Sequence, residues 1–185
     1  MSADRRQCIA LIGLRGCGKT TVGREVARLL GGESVDTDDV VIERAGRSIA
    51  EIFANEGEAG FRKRESEAIL EVAQNPPAVI SVGGGAVLQQ ENIEALRSVA
   101  TVVWLTAPAG TLYRRISTDP TTPRSRPPLT ALSGIEEVQQ LLNERRPFYS
   151  RVADFQIDTA GREPKVIAEE IVRRVRGPSS PPTGQ

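Results

Sequence analysis

The chain of 185 residues has no histidine, only two cysteines and no long apolar run. The absence of histidine excludes any mechanism that uses an imidazole base or an imidazole metal ligand. Cys8 and Cys17 lack the paired spacing of a metal site. No apolar run approaches the length of a membrane span and the first residues are polar, so we expect a cytoplasmic protein with no membrane partner.

The chain also has no excess of charge of either sign. Its 24 basic and 24 acidic residues cancel, so no net field attracts nucleic acid or an anionic membrane, and we expect no nucleic-acid partner. The length suffices for one domain with a core that needs no disulfide or metal. We therefore predict a single domain over residues 1–176, acting as a monomer, followed by a disordered tail rich in Pro and Ser at 177–185.

What the chain does contain is a regular alternation of apolar runs and helical patterns. Strands are predicted at 8–12, 34–37, 78–82, 101–105 and 155–157, and helices at 20–30, 39–45, 49–73, 89–98, 109–116, 135–150 and 164–176. This alternation predicts a three-layer α/β fold, a five-stranded parallel sheet with helices on both faces. Ligands of such sheets bind at the carboxyl ends of the strands.

The stretch GLRGCGKT, residues 13–20, follows the first predicted strand and opens the first predicted helix. It fits the P-loop pattern G-x-x-x-x-G-K-[ST] in full, which disfavours the alternative of a glycine-rich turn without a ligand. Lys19 is expected to reach the β- and γ-phosphates of a nucleotide, and the Thr20 hydroxyl to bind the magnesium ion that accompanies a triphosphate. The predicted phosphate-binding residues are Gly13, Arg15, Gly16, Cys17, Gly18, Lys19, Thr20 and Thr21, with Cys17 filling a permissive position.

Two further stretches follow the second and third predicted strands. In DTDD, residues 36–39, Asp38 or Asp39 could cap the next helix, but a cap needs one carboxylate and three are present. Asp36 could bind magnesium through water, and Asp38 could face a phosphoryl acceptor. In SVGGGAV, residues 81–87, three adjacent glycines indicate close approach of the backbone to a ligand, with an ordinary turn as the alternative. Ser81 stands where a second magnesium-side residue is often found.

Residues 114–151 contain seven arginines and four acidic residues. Within them, residues 117–129 are rich in Pro, Ser and Thr and have no apolar periodicity, which predicts a mobile loop. A mobile loop that carries arginine beside a P-loop indicates a lid that closes over the phosphates, with a solvated charged face as the alternative. Arg126 is the candidate lid arginine.

These stretches, in this order, resemble the motifs of the shikimate kinase family, a member of the nucleoside-monophosphate-kinase-like P-loop group. The resemblance covers residues 8–176 and rests on the P-loop together with VDTD at 35–38, FRKRE at 61–65, GGG at 83–85, RPPL at 126–129, ERRPFY at 144–149 and DTAGREP at 158–164. It implies a P-loop kinase fold with a mobile lid at about 117–129. It also implies an enzyme that transfers the γ-phosphoryl group of ATP to the 3-hydroxyl of shikimate, with Mg²⁺ as cofactor. Pro128 departs from the leucine that is usual in the family.

The resemblance also implies a role for individual residues. Shikimate would be held by Asp38, Arg62, Gly83, Gly84, Gly85 and Arg145, and two arginines with one Asp suit a molecule with a carboxylate and three hydroxyls. The magnesium side would be formed by Thr20 and Asp36. The catalytic groups would be Lys19, Asp38 and Arg126. Arg126 and Arg162 would bind ATP, with adenine contacts from Arg114 or Arg115 and from the loop around Arg162 and Pro164.

Two other classes of protein use a P-loop. A GTPase-type switch is disfavoured because the DTAG stretch at 158–161 comes too late in the chain and no Asn-Lys-x-Asp guanine motif is present. A gluconate kinase or a nucleoside monophosphate kinase of the same fold is the closer alternative. The pair of Arg62 and Arg145 with Asp38 favours a hydroxylated carboxylic acid as the acceptor instead.

Overall fold

The computed structural model describes residues 8–119 and 134–177. Its sheet has five strands, which are β1 Cys8–Ile12, β2 Ser34–Asp36, β3 Val79–Ser81, β4 Ala100–Thr106 and β5 Phe155–Asp158. Across the sheet they stand in the order β2-β3-β1-β4-β5, and each neighbouring pair is parallel. The strand that precedes the P-loop is therefore the central one.

Helices connect the strands and pack on the sheet. Within the described residues they are α1 Lys19–Leu30, α2 Thr37–Ala45, α3 Ile49–Gln74, α4 Gln90–Val99, α5 Ala109–Thr118, α6 Gly134–Val152 and α7 Pro164–Arg176, with a short 3₁₀ turn at Ala86–Leu88. No helix of the described residues is long and apolar enough to cross a membrane.

The central strand β1 shows how the layers are held together. All five of its residues are buried, and successive side chains point to opposite faces of the sheet. Ile9 and Leu11 join an apolar cluster with side chains of α1, α5, α6 and α7. Ala10 and Ile12 join a second cluster with side chains of α3, α4 and α6. The sheet is therefore buried between two helical layers, which confirms the predicted three-layer fold.

The strand order brings three loops to one edge of the sheet. The carboxyl ends of parallel strands lie at the same edge, and β1 has β3 on one side and β4 on the other, so a crevice opens beside it. The register places Leu11, Ser81 and Asp36 next to one another across β1, β3 and β2. The P-loop, the acidic stretch after β2 and the three glycines after β3 are thus neighbours in space.

The predicted strands and helices all form, with small shifts at their ends. One prediction was wrong in a way that matters for the site, because the helix expected over 49–73 is interrupted. Gly57 has a φ of 68° and a ψ of −174°, which is not a helical conformation. Beside this break the Glu56 carboxylate accepts hydrogen bonds of 2.8 and 3.0 Å from Arg64 and a further one from Arg47. These ion pairs hold the two parts of α3 in place.

Two predicted segments fall largely outside the described residues. Of the predicted lid at 117–129, the structure describes residues 117–119, so Arg126 lies outside it. Of the predicted tail at 177–185, it describes Gly177 alone. The lid, the tail and the extent of a single domain over 1–176 remain predictions.

Candidate active site

The loop between β1 and α1 requires glycine at three positions. Gly13, Gly16 and Gly18 have φ angles of 139°, 82° and 95°, which residues with a side chain rarely adopt. At Gly13 an added Cβ atom would also lie 2.3 Å from the carbonyl oxygen of Leu105. The three glycines therefore permit the loop conformation that places Lys19 in the first turn of α1.

Lys19 and Thr20, the two side chains expected to act on the phosphates, are both held by hydrogen bonds. The Lys19 ammonium group donates to the carbonyl oxygens of Gly13 at 2.8 Å and Leu14 at 3.3 Å. The Thr20 hydroxyl donates to Oδ2 of Asp36 at 2.8 Å. The loop thus holds a positive charge, and next to it lies a pair of hard oxygen atoms.

Asp36 connects the P-loop to α2. It caps the helix, since its Oδ1 accepts a hydrogen bond of 3.1 Å from the backbone N–H of Asp38 while Oδ2 accepts from Thr20. The prediction that Asp38 or Asp39 provides the cap was wrong. Burial and the nearby Asp38 carboxylate raise the pKa of Asp36, although its hydrogen bonds and the Lys19 ammonium act in the opposite direction. A cation beside Asp36 would relieve this electrostatic cost.

Two residues of the predicted site region are packed in the protein interior. Cys17 is buried, and its Sγ atom would lie 2.9 Å from a Cβ atom on Gly13, so its position is closely packed and the expectation of a permissive position was wrong. Ser81 is also buried, and its hydroxyl donates to the carbonyl oxygen of Lys19 at 3.3 Å. That bond holds the start of α1 against β3, and the magnesium-side role suggested for Ser81 stays a prediction.

A cleft of about 630 Å³ opens over these loops. Its lining contains both acidic and basic groups, and phosphoryl transfer depends on such groups to position the substrates and to neutralise charge. The predicted site residues that line it are Arg15, Gly16, Gly18, Lys19, Thr20, Thr21, Asp36, Asp38, Gly83 and Gly84. Gly13 and Cys17 lie beneath it, while Arg62, Gly85, Arg145 and Arg162 are not among its lining residues.

Arg62 lies directly behind the glycine loop. It is nearly buried, and its guanidinium donates to Glu65 at 2.6 Å and to Glu58 at 3.1 and 3.3 Å. Burial alone would lower the pKa of Arg62, but the two carboxylates more than offset it and the pKa is raised. A Cβ atom on Gly85 would lie 2.3 Å from Nη2 of Arg62. Glycine at this position therefore leaves room for the guanidinium.

Arg145 approaches the same loop from α6. Its side chain is almost fully buried, and a Cβ atom on Gly84 would lie 3.2 Å from its Nη1 atom. The two arginines predicted to bind shikimate thus contact adjacent glycines from different helices. Arg145 on α6 contacts Gly84, and Arg62 on α3 contacts Gly85. The close approach that the three glycines indicated is made here by these guanidinium groups.

The predicted nucleotide side contains two further arginines with defined partners. Arg115 donates to the carbonyl oxygen of Gly16 at 3.2 Å and to the hydroxyl and carbonyl oxygens of Thr159 at 2.9 and 2.7 Å. Arg162 donates to Glu170 at 2.5 Å and to the Asp158 carbonyl at 3.2 Å. Arg115 also lines the cleft, whereas Arg114 is exposed on α5.

Sequence reasoning missed two residues that support the site. Glu65 belongs to the quoted FRKRE motif and received no role, although its spacing of three residues from Arg62 on a helix is a signal for an ion pair. Tyr149 follows Arg145 by one helical turn, and its hydroxyl donates to the carbonyl oxygen of Gly84 at 2.6 Å. No local pattern in the sequence names that glycine as its partner.

The fold and the cleft define a class of protein. A P-loop at the switch point of a parallel sheet binds nucleotide phosphates. The same cleft is also lined by Asp38, Gly83 and Gly84, which lie outside the P-loop and leave polar groups for a second substrate. This combination is that of a P-loop kinase that phosphorylates a small molecule.

Comparison with known proteins narrows the class to one family. The family model for shikimate kinase matches residues 15–176. The shikimate kinase of Rhodopirellula baltica is 44% identical over 90% of this chain and 89% of its own length, and shikimate kinase 2 of Dickeya chrysanthemi is 44% identical over 93% and 98%. The chain belongs to the shikimate kinase family, and it is an ATP-dependent kinase that acts on shikimate.

The solved structures agree with this assignment. The shikimate kinase of Acinetobacter baumannii, solved in complex with shikimate, superposes with a TM-score of 0.84 at 36% identity and covers 92% of this chain and 93% of its own. The shikimate kinase of Bacteroides thetaiotaomicron gives a TM-score of 0.78 at 32% identity, covering 91% of this chain and 96% of its own. ATP-using kinases of this kind generally need a divalent metal ion.

Proposed function

We propose that the cleft transfers the γ-phosphoryl group of ATP to the 3-hydroxyl of shikimate, and we assign the steps to individual residues. The observation that carries the proposal is that Lys19 and Thr20 of the P-loop line the same cleft as Asp38, Gly83 and Gly84. In the transfer, the bond from the γ-phosphorus to the oxygen of ADP breaks as the bond to the shikimate oxygen forms. The hydroxyl proton passes to Asp38.

Arg62 and Arg145 hold the carboxylate of shikimate in this proposal. A guanidinium binds a carboxylate through two parallel hydrogen bonds, which fixes orientation as well as charge. Both arginines contact the loop formed by Gly83, Gly84 and Gly85. The carboxylate of shikimate would therefore be bound next to the backbone of this loop. Asp38 then faces the hydroxyl groups from the start of α2.

Magnesium is the divalent metal of the proposal, held on the protein side by Thr20 and Asp36. The hydroxyl–carboxylate pair fits this ion, because magnesium keeps several waters and takes few protein oxygens besides the phosphates. Within the described residues no cluster of three acidic or sulfur ligands forms a separate metal site. Bound with ATP, magnesium would neutralise charge on the β- and γ-phosphates.

The remaining ATP contacts are assigned to both sides of the P-loop. Arg15 and Thr21 line the cleft together with Lys19 and would contact the phosphates. Arg162 provides a contact near adenine, and the cleft-lining Arg115 is the better placed of the two arginines on α5. Arg126 in the lid, outside the described residues, would close on the phosphates.

The assay that tests the proposed reaction measures ADP release with a panel of acceptors. We expect turnover with shikimate and at most background release with gluconate or nucleoside monophosphates. The residues assigned to shikimate, which we call the acceptor wall, are Asp38, Arg62, Gly83, Gly84, Gly85 and Arg145. Comparable kcat/KM for gluconate would contradict this assignment. The proposal further takes the enzyme to be a cytoplasmic monomer without nucleic-acid or membrane partners, and light scattering in solution tests the monomer.

Arg62→Lys is expected to raise KM for shikimate by roughly tenfold while KM for ATP stays nearly constant. Lysine keeps the positive charge but loses the planar pair of donors that matches a carboxylate. Steady-state kinetics with each substrate varied in turn gives the two values.

Arg64→Lys is the matched control for this variant, since Arg64 lies on the same helix and pairs with Glu56 away from the glycine loop. It should leave KM for shikimate close to that of the parent. Equal weakening of both substrates in Arg62→Lys would instead assign Arg62 a structural role in α3.

A further inference from the structure

The hydroxyl of Tyr149 lies between two parts of the acceptor wall. Tyr149 is fully buried on α6, and its hydroxyl donates to the carbonyl oxygen of Gly84 at 2.6 Å. The Arg145 guanidinium, one helical turn earlier, lies close enough to the same hydroxyl to act on its pKa. Arg145 also contacts Gly84 directly. The guanidinium of Arg145 and the hydroxyl of Tyr149 therefore meet at Gly84, an arrangement that we call the Arg145–Tyr149–Gly84 relay.

The tyrosine ring is fixed independently of this relay. It stacks on Trp104 of β4, with ring centroids 5.6 Å apart and planes inclined by 30°. Trp104 is itself buried in the same apolar cluster as Tyr149. Packing in the core therefore fixes the ring, and the fixed ring in turn fixes where the hydroxyl meets Gly84 and Arg145.

The hydroxyl is suited to act as a permanent donor. Burial raises the pKa of Tyr149, and this effect outweighs the opposing influence of Arg145 and Arg62. Tyr149 thus stays protonated at neutral pH and donates its proton to the Gly84 carbonyl oxygen.

We propose that Tyr149 is a positioning residue for shikimate, whose hydroxyl sets the Gly84 backbone and the Arg145 guanidinium at the spacing that the substrate requires. This inference rests on the proposed assignment of Arg145 and the glycine loop to shikimate. Arg145 comes from α6 and Gly84 from the loop after β3, so their relative position depends on a tertiary contact. The relay provides that contact behind Gly84, which lines the cleft.

Tyr149→Phe tests the relay because phenylalanine keeps the ring and its stacking on Trp104 but removes the hydroxyl. We expect KM for shikimate to rise by roughly tenfold, the size expected for losing one hydrogen bond, with kcat and KM for ATP changed less than about threefold. Fluorescence of Trp104, the sole tryptophan, checks that the core stays packed. A shikimate KM equal to that of the parent would overturn the proposal, as would equal increases in both KM values.

Tyr113→Phe is the matched control, because Tyr113 is the other of the two tyrosines and is exposed on α5. It should leave both KM values unchanged. Gly84→Ala perturbs the relay from the other side, since its Cβ atom would lie 3.2 Å from Arg145 and 3.5 Å from the Tyr149 hydroxyl. The same Cβ atom would lie 3.4 Å from the carbonyl oxygen of Gly13 in the P-loop, so KM for ATP is measured as well. The shikimate KM should rise in this variant, and an unchanged value would also count against the relay.

Arg145→Lys separates failure of the relay from failure of the proposed function. If Arg145→Lys raises the shikimate KM while Tyr149→Phe does not, the site assignment stands and the relay is wrong. If Arg145→Lys leaves it unchanged, the assignment of Arg145 to shikimate is wrong, and the relay proposal fails with it. When both singles raise KM, the double variant should fall short of the product of the two increases, because residues that act through one contact are not additive.

Discussion

Lys19→Ala is expected to lower kcat/KM by about a hundredfold or more, equivalent to about 2.7 kcal/mol of transition-state stabilisation, while the protein stays folded. In phosphoryl transfer most of the catalysis comes from positioning and neutralising charge on the phosphoryl oxygens. The Lys19 ammonium is already in the loop, bonded to the carbonyl oxygens of Gly13 and Leu14. Each of those two bonds contributes about 1 kcal/mol, and their sum is below the roughly 5–15 kcal/mol by which a domain is stable.

Steady-state kinetics and thermal unfolding of the same preparations check this prediction. Lys63→Ala is the matched control, because Lys63 is exposed on α3. Its substitution removes the same charge outside the cleft. It should keep the turnover of the parent. Near-parental turnover in a folded Lys19→Ala variant would show that the loop does not act on the transferred phosphoryl group.

The P-loop side of the site could be predicted because its information is local. The spacing of Gly13, Gly18, Lys19 and Thr20 specifies a strand, a turn and a helix within a few residues of one another. The structure places these residues in the loop after β1 and the first turn of α1. The alternation of strands and helices likewise specified the layers. The alternation does not predict the strand order β2-β3-β1-β4-β5, because that order depends on contacts between distant segments.

Local details were wrong where several residues satisfy the same preference. Asp36, Asp38 and Asp39 are all good helix caps, and the choice depends on where β2 stops pairing with β3, which is at Asp36. A glycine within a helical pattern is compatible with a continued helix or with a break. At Gly57 the break forms, and Glu56 with its two arginine partners lies beside it.

For the acceptor wall, the sequence predicted which residues take part but not which of them contact one another. Arg62 and Arg145 were assigned through resemblance, and the sequence does not say that they meet Gly85 and Gly84. Tyr149 lies 65 residues from Gly84 in the chain. Contacts across such separations follow from packing of α3 and α6 around the loop after β3, and periodicity within either helix cannot reveal them.

Asp38→Asn is expected to lower kcat by roughly a hundredfold, a typical contribution of a general base, while shikimate and ATP still bind. The hydroxyl does not ionise near neutral pH, so its proton needs an acceptor held at hydrogen-bonding distance as the new bond forms. Asparagine keeps the size of the side chain and one acceptor oxygen but loses the charge. The cap of α2 survives, because Asp36 accepts from the backbone N–H of residue 38.

Asp39→Asn distinguishes the role of Asp38 from a general effect of negative charge at the start of α2. Both acids lie in the first turn of this helix and both border the cleft, but Asp39 is exposed. The Asp39 variant should therefore keep nearly all of its kcat, and rapid-quench measurement of the first turnover should place the Asp38 defect in the chemical step. If kcat survives in Asp38→Asn and falls in Asp39→Asn, the assignment of the proton to Asp38 is wrong and Asp39 accepts it. If neither variant slows the first turnover, the hydroxyl is bound outside the wall formed by Asp38 and the glycine loop.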